Sequence, residues 1–139
     1  MGLVIDSGVF VHWERSGREI DFSPWAGYGD VAISAITVSE LLVGVHRADT
    51  EKRRQRRAAF VEAILAQVPV VDFTTDVARV HSQLLATLMS QGQMVGAHDL
   101  LIAATALHRQ SAVLTTNVDD FARVPDLEVI PFREPSGEA

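Results

Sequence analysis

Cysteine is absent from this 139-residue chain, which excludes disulfides, thiol nucleophiles and cysteine-ligated zinc or iron. That absence agrees with a reducing compartment. Long apolar runs are missing as well, and no stretch approaches the roughly 20 residues that a membrane-spanning helix needs. No basic region precedes the first apolar run, so no signal peptide is expected. The expectation is a cytoplasmic protein without membrane contact. Positive charge is the scarcer sign: 12 Lys and Arg stand against 18 Asp and Glu, a net charge of −6. That balance argues against nucleic-acid binding driven by bulk charge. It leaves a nuclease open, because carboxylates that hold a cation lower the net charge of the metal-free chain. Internal repeats, a second domain and a linker are also lacking. Residues 1–139 read as one domain, long enough to bury a substantial core.

What is present begins with Gly2-Leu3-Val4-Ile5-Asp6-Ser7, a short apolar run that stops at a carboxylate and a hydroxyl. Such runs read as strands of a parallel sheet buried on both faces. Val31–Ser34, Val70–Phe73, Ala112–Thr115 and Leu127–Ile130 read as four more, the last closed by Pro131. Helical spacing appears between them. Val9, Phe10 and Trp13 mark a short helix, and Val38, Leu41, Leu42 and Val45 a second starting near Thr37. Val61, Ile64, Leu65 and Val68 mark a third. A fourth follows a cap at Thr74 or Thr75 and stops near Gly92, its face lined by Val77, Val80, His81, Leu84, Leu85, Leu88 and Met89. A fifth runs from about Leu100 to His108. Residues 15–30 read as an irregular connection in which Trp25 and Tyr28 pack, and the polar tail from Glu134 is expected to be disordered. Strands alternating with helices imply an α/β fold with a mainly parallel, five-stranded sheet and helices on both faces.

In such a sheet, ligands bind beyond the carboxyl ends of the strands. Asp6 ends the first strand there. Glu40 lies in the first turn of the helix after the second strand, although Thr37 and Glu40 also have capping-box spacing. Asp99 precedes a helix that feeds the fourth strand, so that helix must start at the same edge. Asn117 and Asp120 follow the fourth strand, with Thr115 and Thr116 just before them. Each residue alone is explained by a cap or turn. His98, beside Asp99, is open to reading as a ligand or as an ordinary surface histidine. Together the acids converge on one edge, where clustered carboxylates repel unless a cation sits among them. Oxygen ligands suit Mg²⁺ or Mn²⁺. The basic run at 52–57, Lys-Arg-Arg-Gln-Arg-Arg, reads either as a solvated helix face or as an RNA attractor, with Arg53, Arg54 and Arg57 as the contacts.

Four segments carry a resemblance to the PIN-domain nucleases, and within them to VapC-type toxins. They are Val4-Ile5-Asp6-Ser7, Thr37-Val38-Ser39-Glu40-Leu41-Leu42-Val43-Gly44, Gly96 to Ala106 around Asp99, and Leu114 to Phe121. The resemblance spans residues 3 to about 131. It implies a three-layer α/β/α domain and a Mg²⁺- or Mn²⁺-dependent endoribonuclease. It further implies a homodimer and a VapB-type antitoxin partner. Carried over by residue, Asp6, Glu40 and Asp99 become the metal-binding acids. Asn117 holds the fourth acidic position, with Asp120 three residues on as the alternative. Ser7 and Thr116 become candidates for positioning phosphate or water. Two other readings remain: a PIN-like RNA- or protein-binding module with weak chemistry, and a Mg²⁺-dependent phosphatase. The phosphatase reading is weakened by Gly8, which stands where a second aspartate is wanted.

Overall fold

The computed structural model describes residues 1–133, so the disorder expected of the tail from Glu134 lies outside the described residues. The strands are β1 (Gly2–Ile5), β2 (Asp30–Ser34), β3 (Val70–Val71), β4 (Ala112–Thr115) and β5 (Val129–Pro131). They form one sheet in the order β3-β2-β1-β4-β5, and every pairing is parallel. The helices are α1 (Ser7–Ser16), α2 (Ala35–His46), α3 (Glu51–Gln67), α4 (Thr75–Ser90), α5 (Ala97–His108) and the short α6 (Val118–Phe121).

Alternation along β1 shows why its apolar run is continuous. Leu3 and Ile5 enter a core with Phe10, Trp13, Ile33, Leu41 and Ile64. Val4 points the other way, into a core with Val77, Leu88, Ile102, Val113 and Phe121. Helices α1, α2 and α3 therefore cover one face of the sheet, and α4, α5 and α6 the other, giving the three layers that were expected. Trp25 lies on a 3₁₀ turn at Ser23–Tyr28 inside the irregular connection, and stacks on Phe132 with centroids 5.5 Å apart. It packs, as expected, and Tyr28 packs beside it.

Element ends depart from expectation in four places. β3 is two residues long, so Asp72 and Phe73 fall outside it. β5 begins at Val129 and includes Pro131, tolerated because β5 is an edge strand whose missing N–H is not needed. α2 starts at Ala35, because Ser34 both ends β2 and caps the helix: its Oγ accepts from Ile36 N at 3.0 Å. The Thr37–Glu40 capping box is therefore not formed. α5 starts at Ala97, so Asp99 sits within its first turn rather than before it. Thr74, by contrast, caps α4 as expected, and Gly92 follows its end with φ +66°.

Sheet order positions the site. From β1 the chain moves outward to β2 and β3, then crosses back to build β4 and β5 on the other side. The reversal falls between β1 and β4, and the crevice at the carboxyl ends of those two strands is where such folds bind ligands.

Candidate active site

Asp6 leaves β1 at this crevice and caps α1, with Oδ1 accepting from Ser7 N at 2.8 Å. Its Oδ2 accepts from Thr115 Oγ1 at 2.7 Å. The side chain is buried, and burial pushes its pKa above the usual carboxylate value, against the lowering effect of those two hydrogen bonds. Neighbouring Glu40 pushes it further in the same direction.

Asp99 reaches the crevice from the first turn of α5. Its pKa is pushed up to about 6, first by desolvation and then by the charge of Asp6, with smaller contributions from Asp120 and Glu40. Asn117 works the other way. Its Nδ2 donates to Asp99 Oδ2 at 3.0 Å and to Asp120 Oδ2 at 3.3 Å, so one uncharged amide is shared by two carboxylates. The network fixes which end of the amide faces the acids. Asn117 acts here as a donor between acids. Asp120 is the charged member of the pair, and its Oδ1 accepts from Arg123 Nη1 at 3.2 Å. Arg123 also donates to Met94 O at 3.0 Å, tying the loop before α5 to the site.

Glu40 stands on α2, one helical turn beyond Thr37 on the same face. Its Oε2 lies 3.3 Å from His98 Nδ1. Its Oε1 is buried without a hydrogen-bond partner, and so is Thr37 Oγ1. Buried polar atoms are nearly always paired, so two orphans on one face need a third polar species.

The structure thus brings Asp6, Glu40, Asp99, Asn117 and Asp120 to one edge, with Thr115 as a buried hydrogen-bond partner. Ser7 stands beside Asp6 at the start of α1. Thr116 follows Thr115, and its hydroxyl lies so close to Gly8 that a Cβ there would come within 2.4 Å of it. The basic run does not join this group. Arg53 pairs with Asp49 at 2.7 Å and Arg54 with Glu51 at 2.6 Å, both on the solvent side of α3. Arg57 donates to Gly44 O at 2.9 Å and lies 3.8 Å from Glu14, clamping α3 onto α2 and α1. Three contributors escaped the sequence reading. Arg123 had a signal, its i, i+3 spacing from Asp120. The contact of His98 with Glu40, 58 residues away, and the orphaning of Thr37 had none.

Whether these residues suit a divalent cation can be tested on the donor set. The acids that converge here, Asp6, Glu40, Asp99 and Asp120, offer oxygen, which Mg²⁺ and Mn²⁺ prefer. Among the described residues no three acid or imidazole groups gather closely enough to grip one ion. Mg²⁺ commonly binds through one or two carboxylates and keeps several waters, so the raised pair Asp6 and Asp99 fits it. The orphaned Glu40 Oε1 and Thr37 Oγ1 fit hydration around such a site.

An all-parallel sheet of this order, with two acids at its switch point, places the candidate site where doubly wound α/β folds bind ligands, and comparison with known proteins makes the class specific. Residues 3–127 match the PIN domain model, and the chain belongs to the PIN-domain family. It is 35% identical over 130 residues to ribonuclease VapC1 of Rickettsia felis, covering 94% of this chain and 96% of that one. Its fold matches the VapBC2 complex of Rickettsia felis bound to a promoter DNA fragment, with TM-score 0.85, 22% identity and coverage of 96% and 100%. VapBC-5 of Mycobacterium tuberculosis, a member of the VapBC family of toxin–antitoxin systems, matches with TM-score 0.74 and 30% identity over 96% of this chain and 99% of that one.

Proposed function

We propose that this protein is an endoribonuclease, the toxin of a VapBC-type toxin–antitoxin pair, which hydrolyses RNA phosphodiesters with a divalent cation held by Asp6 and Asp99. The observation that carries the reading is the Asp6–Asp99 pair at the switch point of a PIN-domain sheet: both carboxylates are held above their ordinary pKa first by burial, then Asp99 by the charge of Asp6 and Asp6 by that of Glu40. A bound Mg²⁺ or Mn²⁺ would supply the positive charge that stabilises a phosphoryl transition state and makes water nucleophilic near neutral pH. The chain's own groups do the rest. Thr115 fixes the Asp6 carboxylate through its Oδ2. Asn117 holds Asp99 and Asp120 together without adding charge. His98 fixes one oxygen of Glu40, leaving the other to receive a proton from an attacking water or to hold hydration in place. Ser7 and Thr116 present hydroxyls to the substrate phosphate.

An antitoxin fits the same edge. Paired carboxylates receive an Arg guanidinium from a partner peptide well. Beside them, a cavity of about 160 Å³ between α1, α2 and α3 is lined by Phe10, Leu41, Phe60 and Val61, with Glu14 and Glu40 among its polar atoms. A homodimer would cover the exposed Leu85 and Met89 of α4. No helix among the described residues is long and apolar enough to cross a membrane, and the proposed RNA substrate supports a cytoplasmic location.

The test is cleavage of a panel of cellular RNAs by the purified protein, with Mn²⁺, Mg²⁺ or EDTA, beside the Asp99→Asn variant. Metal-dependent cuts absent from the variant establish the nuclease. The second reading, a binding module, is favoured by Asn117, which leaves the fourth acidic position uncharged. RNA bound without cuts under either metal would select it.

A further inference from the structure

The nuclease reading leaves open how an acidic protein holds RNA. In the basic stretch of α3, Arg53, Arg54 and Arg57 are engaged by Asp49, Glu51, Glu14 and the Gly44 carbonyl. A different surface runs directly from the site. Gly8, Val11, His12, Arg15 and Ser16 recur at i, i+3, i+4, i+7 and i+8, so they share one face of α1. Val9, Phe10 and Trp13 face the core. That outer face and Thr116 line an open cavity of about 540 Å³. Gly8 closes its inner end against the Thr116 hydroxyl, a contact that leaves no room for a side chain. Arg15 stands at the far end, exposed, with no ion pair or hydrogen bond among the described residues. Glu14 beside it is engaged by Arg57, so its charge is partly answered elsewhere.

We propose that this groove holds the RNA strand flanking the scissile phosphate, with Thr116 at the near end and Arg15 binding a backbone phosphate at the far end. The assignment rests on the nuclease reading and names the surface that holds its substrate. From Ser7 to Arg15 the helix rises about 12 Å, the length of a few nucleotides. Arg suits the role because its planar guanidinium meets phosphate in bidentate fashion. A backbone contact is indifferent to sequence, so the groove supplies affinity and register rather than base choice.

The test measures binding of a short fluorescent oligouridylate to the Asp99→Asn protein across a salt series, alone and combined with Arg15→Gln, Ser16→Glu or Arg53→Gln. Loss of one phosphate contact lowers the salt slope of a single strand by about 0.7, equivalent to about fivefold weaker binding at 0.1 M salt. Arg15→Gln should show both changes, and Ser16→Glu should weaken binding at least as much by placing a negative charge in the groove. Arg53→Gln should show neither. Circular dichroism of each variant separates a folding defect from lost binding. An unchanged slope in Arg15→Gln, equal losses in Arg53→Gln, or no oligouridylate binding by Asp99→Asn would each overturn the groove. Metal-dependent cleavage by the parent protein, scored separately, tells failure of the groove from failure of the nuclease reading.

Discussion

Asp99 bears two opposed demands, and its titration exposes them. In the metal-free protein its pKa lies near 6, against an ordinary value of 3.8. The folded state therefore holds the proton more tightly than the unfolded chain does. This group's stabilising contribution is complete below about pH 4 and is lost as pH rises through 6. A shift of this size nominally corresponds to about 3 kcal/mol, and solvent screening at a half-exposed group reduces it to roughly 1 kcal/mol. Asp99→Asn should thus unfold in urea at a higher midpoint than the parent at pH 7.5 in EDTA, and at nearly the same midpoint at pH 4. A variant less stable than the parent at pH 7.5 would contradict the burial argument. Thr37 gives a second residue-scale test. Its buried, unpartnered hydroxyl carries a desolvation cost of about 1–3 kcal/mol unless a polar species answers it. Thr37→Val keeps the shape and removes the hydroxyl. If the hydroxyl is unanswered, the variant gains stability in EDTA. If it holds hydration for Glu40, RNA cleavage falls several-fold while the fold survives.

At the scale of elements, legibility followed how local the deciding interaction was. β1 and β4 were readable because a parallel strand buried on both faces announces itself as an apolar run. Asp6 and Asp99 were readable because connectivity alone sends both to the carboxyl edge. The start of α2 was not. Ser34, Thr37 and Glu40 all suit a helix end, and it is Ser34, paired with Val71 at the end of β2, that caps the helix. The basic stretch of α3 was half legible: Asp49 and Glu51 sit four and three residues before their arginines, a spacing that already predicts pairing. The Arg57 bond to Gly44 joins separate helices and needs the packing of α2 on α3. Arg57→Ala should accordingly act on stability, by about 1–2 kcal/mol for a partly exposed charged hydrogen bond, read as a lower urea midpoint. RNA affinity of the Asp99→Asn background should stay within twofold. A large loss of affinity with unchanged stability would return the basic run to the substrate.

Over the whole molecule, the sheet reversal between β1 and β4 concentrates carboxylates that the fold alone would not favour. Asp6 caps α1 and bonds Thr115, both stabilising roles, yet burial and neighbouring charge work against its ionised form. A cation that binds only the folded protein reverses that balance, because it stabilises by RT ln(1 + [L]/Kd), about 2.7 kcal/mol at a hundredfold excess over Kd. For a chain of this length 1 kcal/mol moves Tm by about 3–5 °C, so saturating Mn²⁺ should raise Tm by about 10 °C at pH 7.5. Protons compete for Asp99 with a pKa near 6, so the same addition at pH 5 should give a much smaller rise. Asp99→Asn should lose most of the response at both pH values while remaining folded. Differential scanning fluorimetry of parent and variant, with Mn²⁺ or EDTA at the two pH values, reads all of these at once. Equal Mn²⁺ responses in parent and variant would place the ion away from Asp99, and a larger response at pH 5 than at pH 7.5 would contradict carboxylate ligation at this edge.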